Sequence, residues 1–163
     1  MDGTAASTEF LEAFRSNLSL LLEETFASPE RPGGTAYLDQ RAGWYPTLEA
    51  LSADEVSRPL VPGGTTIAGH VEHARFHLEV VLRYMQGSEE RADWAQSWRV
   101  HEVTEQSWRA LRAAFVETAE RVQHALTDVE TWGDREVGAA FATIAHAAYH
   151  LGAVRQMLLA TRR

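Results

Sequence analysis

Residues 139–159 read AAFATIAHAAYHLGAVRQMLL, a run that reads as one helix. At about 100° per residue, His146 and His150 stand roughly 40° apart, one turn above the other. Ala139, Ala142, Thr143, Ala153 and Met157 share that stripe. Two imidazoles therefore sit on a face of mostly small residues, which admits a neighbouring helix closely or leaves room for a metal and a substrate. His at i and i+4 is a common way for a helix to offer two nitrogens to one ion. The same spacing also occurs in helices that bind nothing, so the reading turns on whether another segment supplies a third ligand in register.

The segment 65–87, TTIAGHVEHARFHLEVVLRYMQG, offers one. Thr65 or Thr66 caps a helix running to about Gln86, before Gly87. His70, His73 and His77 are spaced three and four apart. With His73 at zero, His70 lies near +60° and His77 near +40° on a helical wheel. One helix presents an imidazole ladder and the other a pair, and in a helical bundle ligands come from side chains on facing helices. Three neutral nitrogens leave a coordination position for water or substrate, the pattern of catalytic rather than structural zinc. Imidazole suits Zn, Ni, Cu and Fe(II). Such an ion lowers the pKa of a bound water, or holds an incoming thiol as thiolate. The plainer reading is five histidines partly solvated and partly hydrogen-bonded in a core.

The remainder of the chain builds the frame. Residues 8–27 form a first helix with Phe10, Phe14, Leu18, Leu21 and Leu22 at helical spacing and Ser7 or Thr8 as cap. Pro29, Pro32, Gly33 and Gly34 end it. The connection 28–64 holds a short helix from Trp44 to Leu51 and a capping box, Ser52-Ala-Asp-Glu55, opening one turn that Pro59 stops. Residues 88–103 are polar, with Trp94 and Trp98, and read as a loop with one helical turn. Thr104 opens a helix to about Leu126 along the stripe Trp108, Leu111, Phe115, Ala119, Val122 and Leu126. After a turn at 128–134 the last helix runs to about Thr161. No stretch alternates as a strand does. The expected fold is all-α, a single domain over 1–163, a four-helix bundle with long connections between helices 1–2 and 2–3. The short link between the third and fourth helices predicts antiparallel neighbours.

Composition narrows the function classes. With 163 residues and 45% hydrophobic residues, the chain can bury a proper core. A net charge of −8 argues against nucleic acid as a partner. There is no cysteine, so thiolate zinc, iron–sulfur clusters, disulfides and a cysteine nucleophile are excluded. All 15 basic residues are arginine, which removes Schiff-base chemistry. No apolar run approaches the roughly 20 residues of a membrane span and no signal peptide is recognisable, so a cytoplasmic location is expected.

The motifs PGGTTIAGHVEHARF (62–76), LRYMQG (82–87) and HAAYHLGAVRQML (146–158) together resemble the DinB/YfiT-like superfamily of bacterial four-helix-bundle proteins. Its signature is one His on the second helix and H-x-x-x-H on the fourth, followed by Gly and then Gln. Here His146 and His150 match the pair, Gly152 and Gln156 the residues after it, and His73 the single ligand. The resemblance implies a divalent metal ion, such as Zn, Ni or Fe, held by His73, His146 and His150 and completed by water. It implies thiol S-transferase chemistry with a low-molecular-weight thiol (bacillithiol, mycothiol or glutathione), or hydrolase or isomerase chemistry on another small molecule. It also implies a homodimer.

Among the other polar residues, Glu72 and Glu79 point about 100–120° off the His73 stripe and read as surface or supporting groups. Tyr84 lies on the stripe and is expected in the core. His101 either folds over the site mouth or is solvated, and His124 is expected in solvent. Arg75, Arg83, Arg99 and Arg155 are candidates for a substrate anion, and Trp94 and Trp98 for packing the loop. A metal-dependent transferase or hydrolase competes with a non-catalytic bundle, a stress-linked binding or scaffold module whose histidines are structural or vestigial. A carboxylate-bridged di-iron site is disfavoured, because no His has a Glu three residues before it.

Overall fold

The computed structural model describes residues 3–161, with side chains from Ala6 onward. Those residues form six α-helices and one 3-10 turn, with no strand. Four helices are long: α1 Gly3–Phe26, α4 Ile67–Met85, α5 Glu105–Thr127 and α6 Asp134–Thr161. Two are short, α2 Trp44–Leu48 and α3 Ala53–Ser57.

The starts follow local chemistry. Thr66 caps α4 by accepting from the Gly69 N–H, and Thr104 caps α5 by accepting from the Ser107 N–H. Ser52 and Glu55 form the full capping box before α3. Each cap satisfies backbone N–H groups that a helix start leaves without partners and stabilises it by about 1 kcal/mol. The first helix departs from expectation: it begins by Gly3 rather than at residue 8, and Phe10 on its stripe is exposed, while Leu18 and Leu22 are buried.

The core is one cluster drawn from every helix, with Trp44, Trp108, Phe26 and Phe115 its largest fully buried side chains. The connection 28–64 is built into that core. Trp44 Nε1 donates to the Ala147 carbonyl of α6 at 3.1 Å, and Trp108 Nε1 donates to the Leu51 carbonyl at 2.7 Å. Each buried indole thus satisfies its one donor while locking the segment to a long helix. Gly43 lets the chain approach the end of α1: a Cβ there would lie 2.8 Å from Ser28 Cβ and 2.9 Å from two carbonyl oxygens.

α4 packs on both α5 and α6, and α1 packs on the same two helices. α5 and α6 are not principal neighbours, contrary to the expectation from their short link. They stand across from each other because both lay their apolar stripes on α4. Tyr84 also departs from expectation: it is exposed, with the Arg135 guanidinium 5.6 Å over its ring. By length and composition alone α6 is apolar enough to cross a membrane, which corrects the expectation of no such run. Its Ala139, Ala140, Ala147 and Leu151 are buried in the protein interior.

Candidate metal centre

Capping at Thr66 fixes where α4 begins, and its packing against α6 buries His70 and His73. The same Thr66 hydroxyl donates to the His101 carbonyl at 2.8 Å, tying the connection 86–104 to the start of α4. Gly69 admits that connection: a Cβ would lie 2.9 Å from the Val100 carbonyl oxygen. The 3-10 turn Gln96–Trp98 is thereby laid over the histidines.

The two helices interleave five imidazoles. His73 Nε2 lies 3.1 Å from His146 Nε2, and His70 Nδ1 lies 3.0 Å from His150 Nδ1. His77 stacks on His146 with centroids 3.7 Å apart. One nitrogen each from His73, His146 and His150 forms a group whose atoms all lie within 4.8 Å of one another. Two imidazole nitrogens on a tetrahedral zinc, at about 2.0–2.1 Å each, stand about 3.3 Å apart. The 3.1 Å separation of His73 and His146 is close to that figure.

Protonation fits the same chemistry. Burial, then the neighbouring imidazoles, push His146 and His150 down to about 3 and His77 down to about 4. His70 is lowered by burial and by His73, and His73 by burial. The rings are neutral near pH 7, the form in which imidazole carries a lone pair for a metal.

Ser97 selects which lone pair His73 presents. Its hydroxyl, fully buried, donates to the Trp94 carbonyl at 2.7 Å, and it lies 2.7 Å from His73 Nδ1. The serine proton is committed, so His73 Nδ1–H donates to Ser97 and Nε2 is left bare toward His146. Trp98 stacks on His73 at 4.0 Å and meets His70 edge-on. Nothing in the residue pattern marked Ser97, a serine in a polar loop; only the fold places it beneath the ligand ring. His70 Nε2 in turn lies 3.1 Å from the exposed Thr65 hydroxyl.

The other candidates fall outside the cluster. Glu72 and Glu79 both pair with Arg75, and no carboxylate joins the imidazoles among the described residues. His101 and His124 are exposed, as are Gly152 and Gln156. Arg83 faces Glu90 at 3.6 Å, Arg155 reaches the Ala42 carbonyl at 3.4 Å, and Arg99 is exposed. Trp94 flanks His77 and Phe76, so both tryptophans pack on α4 and also wall the cluster. Two clefts lined in part by Arg41 lie away from the imidazoles, one with Tyr45 and Arg112 and one with Arg155.

A family model described as the DinB superfamily matches residues 36–154, a span that contains all five histidines, Ser97 and both tryptophans. No curated protein and no solved structure matches the chain significantly.

Proposed function

The chain belongs to the DinB superfamily, and from that premise we propose that it is a metal-dependent enzyme of the thiol S-transferase or hydrolase kind. His73, His146 and His150 are its protein ligands for a divalent ion (Zn, Ni or Fe), with one position left for water or a low-molecular-weight thiol. The observation that carries this reading is the convergence of three neutral, buried or half-buried nitrogens within 4.8 Å. A divalent ion there supplies acidity, making a water or thiol nucleophilic near neutral pH. The chain's own residues hold and orient: Ser97 fixes the His73 tautomer, and Trp98 covers the ring and excludes water. The absence of a carboxylate from the group fits chemistry that needs a Lewis acid more than a carboxylate bridge.

In this reading the four long helices are a four-helix bundle with long connections α1–α4 and α4–α5, forming one domain over 1–163. The mutual packing of α1 and α4 with α5 and α6 supports it. The protein works in the cytoplasm as a homodimer on a small-molecule substrate, without nucleic acid or membrane.

The non-catalytic reading, a binding or scaffold bundle with a structural or vestigial cluster, draws on one observation: Trp98 stacks on His73 and Ser97 engages its Nδ1, closing that side of the ring. Metal analysis of native chain and His146→Ala separates the two. Near-stoichiometric Zn, Ni or Fe, lost in the variant, supports the enzyme reading and directs thiol-transfer and hydrolase screens with that ion. A native chain that takes up no divalent ion on dialysis overturns the metal site and leaves the scaffold reading.

A further inference from the structure

α6 carries a second apolar surface, centred on Ala145 about 100–140° from its histidines and reaching their stripe at Ala142. Gly138, Phe141, Ala142, Ala145, Tyr149 and Gly152 are all exposed along it. Phe141 is 61% and Tyr149 73% exposed. The glycines face open space: a Cβ on Gly138 or Gly152 would meet nothing within 4 Å. Phe141 continues the surface onto α1, where Phe14 meets it edge-on and Phe10, one turn earlier, is 71% exposed. No Asp, Glu or Arg occurs from Val137 to Val154, in a chain of net charge −8.

The surface is symmetric about its own centre. Counting outward from Ala145, Ala142 corresponds to Ala148, Phe141 to Tyr149, and Gly138 to Gly152. A two-fold interface is self-complementary and brings residue i of one copy to residue j of the other. We propose that α6 is the seam of a homodimer, with the α6 helices of two copies packed antiparallel about Ala145. Phe141 of one copy then lies level with Tyr149 of the other, and Gly138 with Gly152, so the aromatics interlock where the glycines let the backbones close. The centre is alanine, which sets a short interhelical distance.

The area is adequate. Aromatic side chains at these exposures offer about 100–150 Å² each. With Leu159 and the small residues the surface is of order 600 Å² per copy, approaching the roughly 800 Å² per partner of a standard interface. Two like-charged copies repel least across their uncharged stripe. Tyr149 also lies edge-on to His150 at 4.9 Å, so the seam borders the imidazole cluster.

This gives a surface to the homodimer proposed above and is independent of metal. The chain's lack of cysteine makes the test direct. Sedimentation equilibrium of the full chain is expected to give twice the 18.2 kDa chain mass. Ala145→Cys links two copies under mild oxidation, whereas Ala113→Cys, on the exposed side of α5, does not. Tyr149→Glu weakens self-association at least tenfold with helical circular dichroism unchanged. A chain monomeric at every concentration overturns both the dimer and its seam. A dimer that Ala145→Cys fails to link overturns the seam alone. A monomer that floats with phosphatidylglycerol–phosphatidylcholine vesicles overturns it in favour of a membrane surface.

Discussion

His73 Nδ1 sits 2.7 Å from the hydroxyl of Ser97, a residue 24 positions away whose own proton is spent on the Trp94 carbonyl. The first expectation follows from this bond. Ser97→Ala removes the acceptor and leaves the His73 tautomer unselected. Metal affinity is expected to fall about 10–100-fold, as for other losses of a ligand's hydrogen-bond partner. Competition titration against a chromophoric chelator measures it; unchanged affinity would remove Ser97 from the site.

His77 presents the opposite case. Its Nδ1 is buried without a hydrogen-bond partner among the described residues, and its ring stacks on His146. His77→Phe keeps the stack and removes the unpaired polar atom. The variant should keep one metal per chain and gain about 1 kcal/mol of stability by urea unfolding. Loss of stoichiometric metal would mean that His77, and not its neighbours alone, holds the ion.

Acid should destabilise the metal-free chain early. The folded pKa values of His77, His146 and His150 lie below the ordinary 6.5, through burial first and neighbouring imidazoles second. The unfolded chain therefore binds more protons from pH 6.5 down to the folded values of about 4 and 3. Stability is level with respect to these groups above pH 6.5 and falls as pH drops through that window. Allowing for the partial exposure of His146 and the coupling of the rings, about 2 kcal/mol is lost by pH 5. Urea midpoints at pH 7.5, 6 and 5 test it; a flat profile would place these rings in water.

A metal that binds only the folded chain raises its stability by about 2.7 kcal/mol at a hundredfold excess over Kd. For a domain of this size that is roughly 5–10 °C in Tm. Chelation should lower the Tm of the native chain by that amount and leave His146→Ala unmoved. Equal shifts in both would locate the ion elsewhere.

Gly69→Ala puts a methyl 2.9 Å from the Val100 carbonyl oxygen, where α4 and the connection 86–104 touch. Either the connection lifts or the helix shifts, at a cost of about 1–3 kcal/mol. Trp98 then loses its stack on His73, so tryptophan emission moves to the red relative to native. An unshifted emission would show that the connection yields without uncovering the cluster.

Local rules accounted for much of this protein. Caps at Ser52, Thr66 and Thr104 depend on atoms three residues apart, and the shared face of His146 and His150 on a four-residue step. Those distances are set by helix geometry whatever the rest of the chain does, so the helices and the imidazole pair were readable from residue order. The span 36–154 matched by the family contains His73 and the His146–His150 pair.

Tertiary packing decided what residue order left open. From periodicity, His70, His73 and His77 were equivalent on α4; the axial offset between α4 and α6 placed His73 Nε2 against His146 and turned His70 to His150. That offset depends on side chains filling space across the whole core, with Trp44 bonded to the Ala147 carbonyl on α6. Packing also set α5 and α6 apart despite their short link, left Phe10 and Tyr84 in water, and brought Ser97 under His73. Periodicity reports one helix's own faces; which faces meet, and at what height, is settled only when every helix competes for the same core.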